Sequence, residues 1–132
     1  MKALDTNILV RFLTGDDPAA FDRVATLLRS ADERGETFMV TDPVLLELLW
    51  VLRSSYDLGR EKILDAVDAL LDAPVFTFQS TRHVRQFVAQ GRVASTELDD
   101  LLIGLSAEQQ GCESTLTLDK KAAQSDLFEE IA

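Results

Sequence analysis

Residues 37–53 read TFMVTDPVLLELLWVLR, and this stretch decides the fold class. Its first four residues, 37–40, form a short apolar segment that predicts a strand. Asp42 and Pro43 then supply a helix-start signal, and the strongly apolar helix that follows is expected to reach about Arg53. A strand followed at once by a helix is typical of the units that build parallel sheets.

The same alternation extends outward to both ends of the chain. Strands are predicted at 2–4, 37–40, 75–78 and 114–118, with an edge strand near 128–131. Helices are predicted at 8–13, from 17 to near 35, at 43–53, from 60 to 73, at 81–92, at 98–110 and, as one short turn, after 119. This order predicts a three-layer α/β/α sandwich with a mainly parallel central sheet. No linker or repeat interrupts it, so residues 1–132 are expected to form a single domain.

The composition limits the class of protein. The chain has 132 residues, of which 46% are apolar, enough for a core of ordinary size. Its apolar runs are too short to span a bilayer, and Asp5 stands where a signal peptide would be apolar. One cysteine excludes an internal disulfide. These features predict a cytoplasmic protein without a membrane partner.

The charge argues against bulk attraction to nucleic acid. Thirteen Lys and Arg against 23 Asp and Glu give a net charge of −10, whereas proteins that hold nucleic acid by charge are usually basic. A group of acids that bound two divalent cations would gain +4, which brings −10 to −6. Acidity alone favours a protein with no nucleic-acid partner, but it leaves a metal-bridged interaction open.

Four acids stand where a site is expected. Ligands of parallel sheets bind beyond the carboxyl ends of the strands, and Asp5 and Asp119 each follow a predicted strand. Glu47 lies inside an apolar helix, where no residue three or four positions away can pair with it. Asp100 shares a helical face with Glu97, and two like charges so close are unfavourable unless a cation joins them.

Each acid also has a purely structural alternative. Asp5 and Asp119 suit helix N-caps, and Asp100 can stabilise a helix N-terminus, as can the neighbouring Asp99. Glu47 can lie on an exposed rim or pair with a distant arginine. Together, however, carboxylates from two strand ends and two helices suit Mg²⁺ or Mn²⁺. Such ions can activate a water and stabilise the leaving oxygen of a phosphodiester.

Other reactive side chains give weaker signals. His83 has no serine or cysteine nucleophile nearby in sequence, so we expect a surface histidine. Cys112 is expected to be a small buried residue. Trp50 is expected in the core or at an interface. Lys120 and Lys121 follow the last acid and are expected to be solvated, although either can touch a substrate beside Asp119.

The ordered set of motifs resembles the PIN domain. The matching segments are Asp5-Thr6-Asn7 after a short strand, the glutamate-bearing helix at 46–52, the acidic helix at 100–104 and the strand end at 117–119. They cover nearly all of the chain in the family's order and rough spacing. The subfamily that the chain most resembles is the VapC-type toxin of bacterial toxin–antitoxin pairs, to which 10–13 and 51–54 are also similar.

This resemblance implies a metal-dependent endoribonuclease that uses one or two Mg²⁺ or Mn²⁺ ions. The catalytic residues and metal ligands carry over as Asp5, Glu47, Asp100 and Asp119. Glu97 falls where relatives often show a further acid, and its role is left open. Thr6 and Asn7 carry over as supports of the first acid's turn, on the substrate side. Arg11 carries over as a phosphate contact, the alternative being a solvated helix face.

The resemblance also implies partners. VapC-type proteins are usually homodimers that a cognate antitoxin protein inhibits by covering the pocket, and their substrate is RNA. The helix at 44–52 has more hydrophobic surface than one core face requires, so part of it can cover a partner groove. The alternative is a helix buried on both sides within the monomer.

Two rival functions belong to other classes. A phosphoacceptor receiver domain needs two adjacent acids after its first strand and another acid at a central strand, whereas Asp5 stands alone and no acid ends the strand at Phe78. A dehalogenase-type phosphatase needs a second aspartate where Asn7 stands. A non-catalytic interaction module on the PIN fold is the other rival, and the presence of all four acids argues against it.

Overall fold

The structure is a computed structural model that describes residues 1–132. The chain folds into two compact units, Met1–Thr81 and Arg82–Ala132. The elements of the first unit are β1 (Lys2–Ala3), α1 (Thr6–Thr14), α2 (Pro18–Glu33), β2 (Phe38–Val40), α3 (Asp42–Ser54), α4 (Arg60–Asp72) and β3 (Phe76–Phe78). The remaining elements are α5 (Thr81–Val93), α6 (Leu98–Gln109), β4 (Thr115–Thr117), a 3₁₀ turn (Ala122–Gln124) and β5 (Phe128–Glu130).

The first unit is a sheet of three parallel strands in the order β1-β2-β3. Lys2 pairs with Phe38, which in turn pairs with Phe76. Two helices connect each strand to the next, as parallel pairing requires a long crossover. The apolar stripes of these helices are buried, notably at Leu9, Leu48 and Leu64, each with no exposed surface.

Local capping explains where α1 begins and ends and where α2 begins. Asp5 caps α1, and Gly15 ends it in the left-handed conformation with φ of 61°, which a side chain would disfavour. Asp17 caps α2 by accepting a hydrogen bond from the Ala20 N–H at 3.1 Å, and Pro18 occupies the first turn. These signals therefore keep the loop between the two helices short.

The second unit contains α5, α6 and a parallel pair of strands, with Thr115 opposite Phe128. Phe87 and Leu105 belong to its core. Helix α6 approaches the last strand closely at Gly104, where an added Cβ would lie 2.9 Å from both Leu127 Cβ and Phe128 Cε2. The glycine is therefore required by packing.

The fold class predicted from the sequence is confirmed. Helices alternate with strands, every strand pair is parallel, and the arrangement is that of an α/β sandwich. The strands are only two or three residues long, and they hydrogen-bond in sets of three and two. None of the helices is both long and apolar enough to cross a membrane.

The burial of three side chains can be compared with what the sequence predicted. His83 is 3% exposed, so the surface prediction was wrong; it shares the buried face of α5 with Phe87. Cys112 is exposed instead of buried, because it lies in the turn that Gly111 makes after α6. Trp50 is 57% exposed and is therefore not a core residue, which leaves the interface alternative open.

Candidate metal centre

Asp5 lies between β1 and α1. Its Oδ1 accepts a hydrogen bond from the Thr6 N–H at 2.7 Å, so the structural alternative of an N-cap does describe this residue. A carboxylate offers about four lone-pair sites on two oxygens. Capping therefore leaves room for a cation on the same exposed side chain.

The residues beside Asp5 differ in their surroundings. Thr6 is only 4% exposed, and its hydroxyl has no hydrogen-bond partner in the protein. Such an unpaired buried hydroxyl is costly, so a bound group that accepts its hydrogen bond would be stabilised. Asn7 is exposed. Thr6 supports the turn through its backbone N–H, and its hydroxyl remains available next to Asp5.

Glu47 is an exposed residue of α3, as the rim alternative expected. Trp50, three residues later, lies on the same exposed face of the helix. Helix α3 begins directly after β2, and β2 is the parallel neighbour of β1. The first unit therefore brings Asp5 and the start of α3 to the same carboxyl edge of its sheet, where sites of such sheets form.

Asp100 is the centre of an acidic cluster in the second unit. It lies in the first turn of α6, and its pKa is raised, first by burial and then by the negative charges of Asp99, Asp119 and Glu97. These carboxylates are thus near enough to disfavour the ionised form of Asp100. A divalent cation bound beside Asp100 would relieve that repulsion.

Asp119 follows β4 and repeats the arrangement seen at Asp5. Its Oδ1 accepts hydrogen bonds from the backbone N–H groups of Lys121 at 2.9 Å and Ala122 at 3.3 Å. Its own N–H donates to Thr117 Oγ1 at 3.0 Å. The carboxylate is therefore held in place by the backbone N–H groups of the segment that leads into the 3₁₀ turn.

Lys121 is the residue that sequence reasoning missed. It is exposed, as expected for a solvated lysine, but its Nζ also donates to Glu97 Oε1 at 2.7 Å, a pairing that the sequence did not predict. The two residues are 24 positions apart, so no local pattern signals their pairing. The only sequence signal was the position of Lys121 two residues after an acid. Glu97, whose role was left open, therefore has a cationic partner within the second unit.

Arg11, the expected phosphate contact, is also engaged. Its Nη1 lies 3.0 Å from Asp16 Oδ1, and Asp16 accepts further hydrogen bonds from the Tyr56 hydroxyl at 2.7 Å and the Thr14 hydroxyl at 2.8 Å. These bonds, that of Tyr56 first, lower the pKa of Asp16 to about 2. A phosphate would therefore compete with Asp16 for Arg11.

The donor atoms fit a hard divalent cation. Every candidate ligand is a carboxylate oxygen, without a thiolate or an imidazole, and this favours Mg²⁺ or Mn²⁺ over softer metals. Neither unit by itself holds a group of three His, Cys, Asp or Glu side chains arranged to bind a metal. The chemistry of the residues agrees with such an ion, and the ligand set remains a prediction.

Comparison with known proteins gives two matches of different kinds. The sequence model of one family, described as PIN domain, matches residues 2–126. A curated relative from Aquifex aeolicus (strain VF5), named VapC ribonuclease, is 23% identical over 121 residues, which cover 92% of this chain and 89% of the relative. No solved structure matches significantly.

Proposed function

The chain belongs to the PIN-domain family, and from that premise we propose that it is a metal-dependent endoribonuclease that hydrolyses RNA phosphodiester bonds. The observation that carries the proposal is that the family match, residues 2–126, spans all four acids. The name of the relative, VapC ribonuclease, supports RNA as the substrate. The reaction class is therefore hydrolysis.

In this proposal the metal ligands and catalytic residues are Asp5, Glu47, Asp100 and Asp119. They would hold one or two Mg²⁺ or Mn²⁺ ions. When bound, such ions supply Lewis-acid stabilisation of the phosphate charge and make water a stronger nucleophile at neutral pH. No side chain of the protein then needs to serve as the nucleophile.

The protein's own contribution is to fix its carboxylates before substrate arrives. Backbone N–H groups orient Asp5 and Asp119, as their hydrogen bonds indicate. Burial and neighbouring charge raise the pKa of Asp100, so its negative charge is poorly compensated within the protein alone. Such preorganised groups favour binding of positive charge without a large entropic cost. On the substrate side, Thr6, Asn7 and Arg11 are proposed to contact or support the RNA-binding region.

The proposed biology is that of a toxin in a toxin–antitoxin pair. The name of the relative supports it, and the partners would be RNA, a cognate antitoxin and a second copy of the chain. We further propose that residues 1–132 act as one cytoplasmic nuclease domain. The exposed Trp50 on the face that carries Glu47 gives an apolar contact point for a protein partner beside the acid.

One alternative remains. Membership of the PIN family excludes the receiver-domain and phosphatase alternatives, which belong to other families. A non-catalytic interaction module on the same fold would retain RNA or protein binding without cleavage. An assay of metal-dependent hydrolysis distinguishes it from the nuclease.

The decisive variant is Asp5→Asn, assayed on single-stranded RNA with Mn²⁺. Asparagine is as good an N-cap as aspartate, so the fold should persist while one ligand charge is lost. We expect cleavage to fall at least about 100-fold, and EDTA to stop the wild-type reaction. The matched control is Asp22→Asn on the exposed surface of α2, which should cleave normally.

Undiminished cleavage by Asp5→Asn, in a preparation whose circular dichroism matches wild type, would refute the mechanism. Contaminating nucleases must be excluded in that preparation, because they would also cleave the RNA, and the active control variant shows only that the assay and the purification are sound. Metal-dependent RNA binding without any cleavage would favour the interaction module.

A further inference from the structure

The Glu97–Lys121 ion pair connects the two acidic segments of the second unit. Glu97 is the N-cap residue of α6, three positions before Asp100, and Lys121 is two positions after Asp119. Their charged atoms are 2.7 Å apart. A cation of the protein itself therefore stands beside the carboxylates that are proposed to hold a metal.

The backbone keeps this lysine in place. The Lys121 N–H donates to Asp119 Oδ1 at 2.9 Å, so one acid fixes the main chain of the residue whose ammonium binds another acid. The ammonium lowers the pKa of Asp100, in opposition to the surrounding carboxylates. Its electrostatic effect thus extends beyond its direct partner Glu97 to the centre of the cluster.

We propose that Lys121 is a positioning residue of the nuclease site: by binding Glu97 it keeps that carboxylate out of the metal ligand set and weakens divalent-cation binding. This inference rests on the proposed function. It assigns Glu97 a definite role as the partner of Lys121, and it makes the exposed Lys121 a determinant of metal affinity.

Two physical effects support it. A fixed ammonium near a divalent cation raises the cation's free energy by direct repulsion, and a neutralised Glu97 adds no attraction in return. The side chains of the pair are 64% exposed for Lys121 and 49% for Glu97, so solvent screens both effects and the expected change in metal affinity is modest. Glu97 and its neighbouring acids raise the pKa of Lys121, so it stays charged and the effect does not depend on its titration.

The test is a calorimetric titration of the full-length protein with Mn²⁺, which measures affinity independently of cleavage. Lys121→Met should bind Mn²⁺ about three- to tenfold more tightly than wild type. Lys121→Arg, which keeps the charge, should stay within about twofold of wild type, as should the matched control Lys120→Met. Circular dichroism should show the same fold for all of them.

A double variant tests whether the tighter Mn²⁺ binding of Lys121→Met depends on the Glu97 carboxylate. If the tighter binding of Lys121→Met comes from the released carboxylate, Glu97→Gln in the same chain should return the affinity to near wild type. A double variant as tight as Lys121→Met would overturn the role given to Glu97.

Unchanged or weaker Mn²⁺ binding in Lys121→Met would overturn the role given to Lys121, while the metal-dependent nuclease would stand. Failure of the wild-type protein to bind Mn²⁺ would overturn both proposals, because no metal affinity would exist for Lys121 to modulate. The two failures are therefore distinguishable in one set of titrations.

Discussion

Asp5 and Asp119 show that one carboxylate can serve both a local and a functional purpose. Each follows a strand, and each accepts hydrogen bonds through its Oδ1 from the backbone that comes next: Asp5 from the Thr6 N–H, and Asp119 from the N–H groups of Lys121 and Ala122. The first N–H groups of a helix lack partners in the helix itself, so an acid at this point is held rigidly. The N-cap alternative and the metal-ligand hypothesis are therefore compatible at the level of the residue.

At the same scale, the lowered pKa of Asp16 predicts how the thermal stability of the protein depends on pH. Its pKa is lowered from 3.8 to about 2, chiefly by the Tyr56 hydroxyl, then by Thr14 and Arg11. Because the folded pKa lies below the ordinary value, its contribution to stability is present above about pH 4 and is lost as the pH falls towards 2. Asp16→Asn should therefore have a lower Tm than wild type at pH 5, and the difference should shrink between about pH 4 and 2.

Thermal unfolding of both proteins across that range measures the effect. Asp22→Asn is the control, because its carboxylate is exposed on α2. The side chains of Arg11 and Asp16 are 39% and 41% exposed, so added salt should reduce the difference in Tm. A difference that persists undiminished at pH 2 would contradict the assignment of the low pKa to Asp16.

At the scale of elements, Gly104 determines how closely α6 approaches the tail. Gly104→Ala would gain helix propensity, but its Cβ would meet Leu127 and Phe128 at 2.9 Å. Overpacking of this kind usually outweighs the gain, so we expect a loss of about 1–3 kcal/mol in the free energy of unfolding.

Urea unfolding of Gly104→Ala measures that loss, and Ser106→Ala on the same helix is the control. The control residue is half-buried, and its change should stay within about 0.5 kcal/mol. If Gly104→Ala were as stable as wild type, the tail would have to shift without cost. The packing reason for this glycine would then be wrong.

At the scale of the whole molecule, assembly remains a prediction. Helix α3 is not buried on all sides, since Trp50 is 57% exposed, and the chain carries a net charge of −10. A basic antitoxin segment would therefore be attracted to the acids and would compete with metal there. This gives the proposed inhibition an electrostatic cause.

Light scattering should give twice the 14.6 kDa chain mass when the antitoxin is absent. The product of a neighbouring antitoxin gene should stop RNA cleavage, and Asp100→Asn should weaken its binding at least about tenfold. Asp65→Asn on α4, outside the proposed site, is the comparison variant. A monomer at high concentration that no neighbouring gene product binds would remove the toxin biology and leave the nuclease proposal to stand alone.

Much of the architecture was predictable because its signals are local. The strand–helix junction at Val40–Pro43, the cap at Asp17 and the stop at Gly15 all depend on residues within one or two turns of one another. The four candidate acids were found in the same way, from their positions after strands or on helices. The exact strand lengths could not be predicted from the sequence, because a strand residue is defined by its hydrogen-bonded partner elsewhere in the chain.

Other features depended on groups distant in sequence. The burial of His83 follows from packing around α5, where it shares the buried face with Val84 and Phe87, although much of the surrounding sequence is polar. The Glu97–Lys121 pair spans 24 positions, and the contact of Gly104 with Leu127 and Phe128 spans 23 and 24. Periodicity and capping act over a few residues, whereas burial, ion pairing and close packing depend on which elements meet. For that reason the amino-acid order alone indicated the fold class and the acids, and the three-dimensional arrangement was needed to identify the cation beside them.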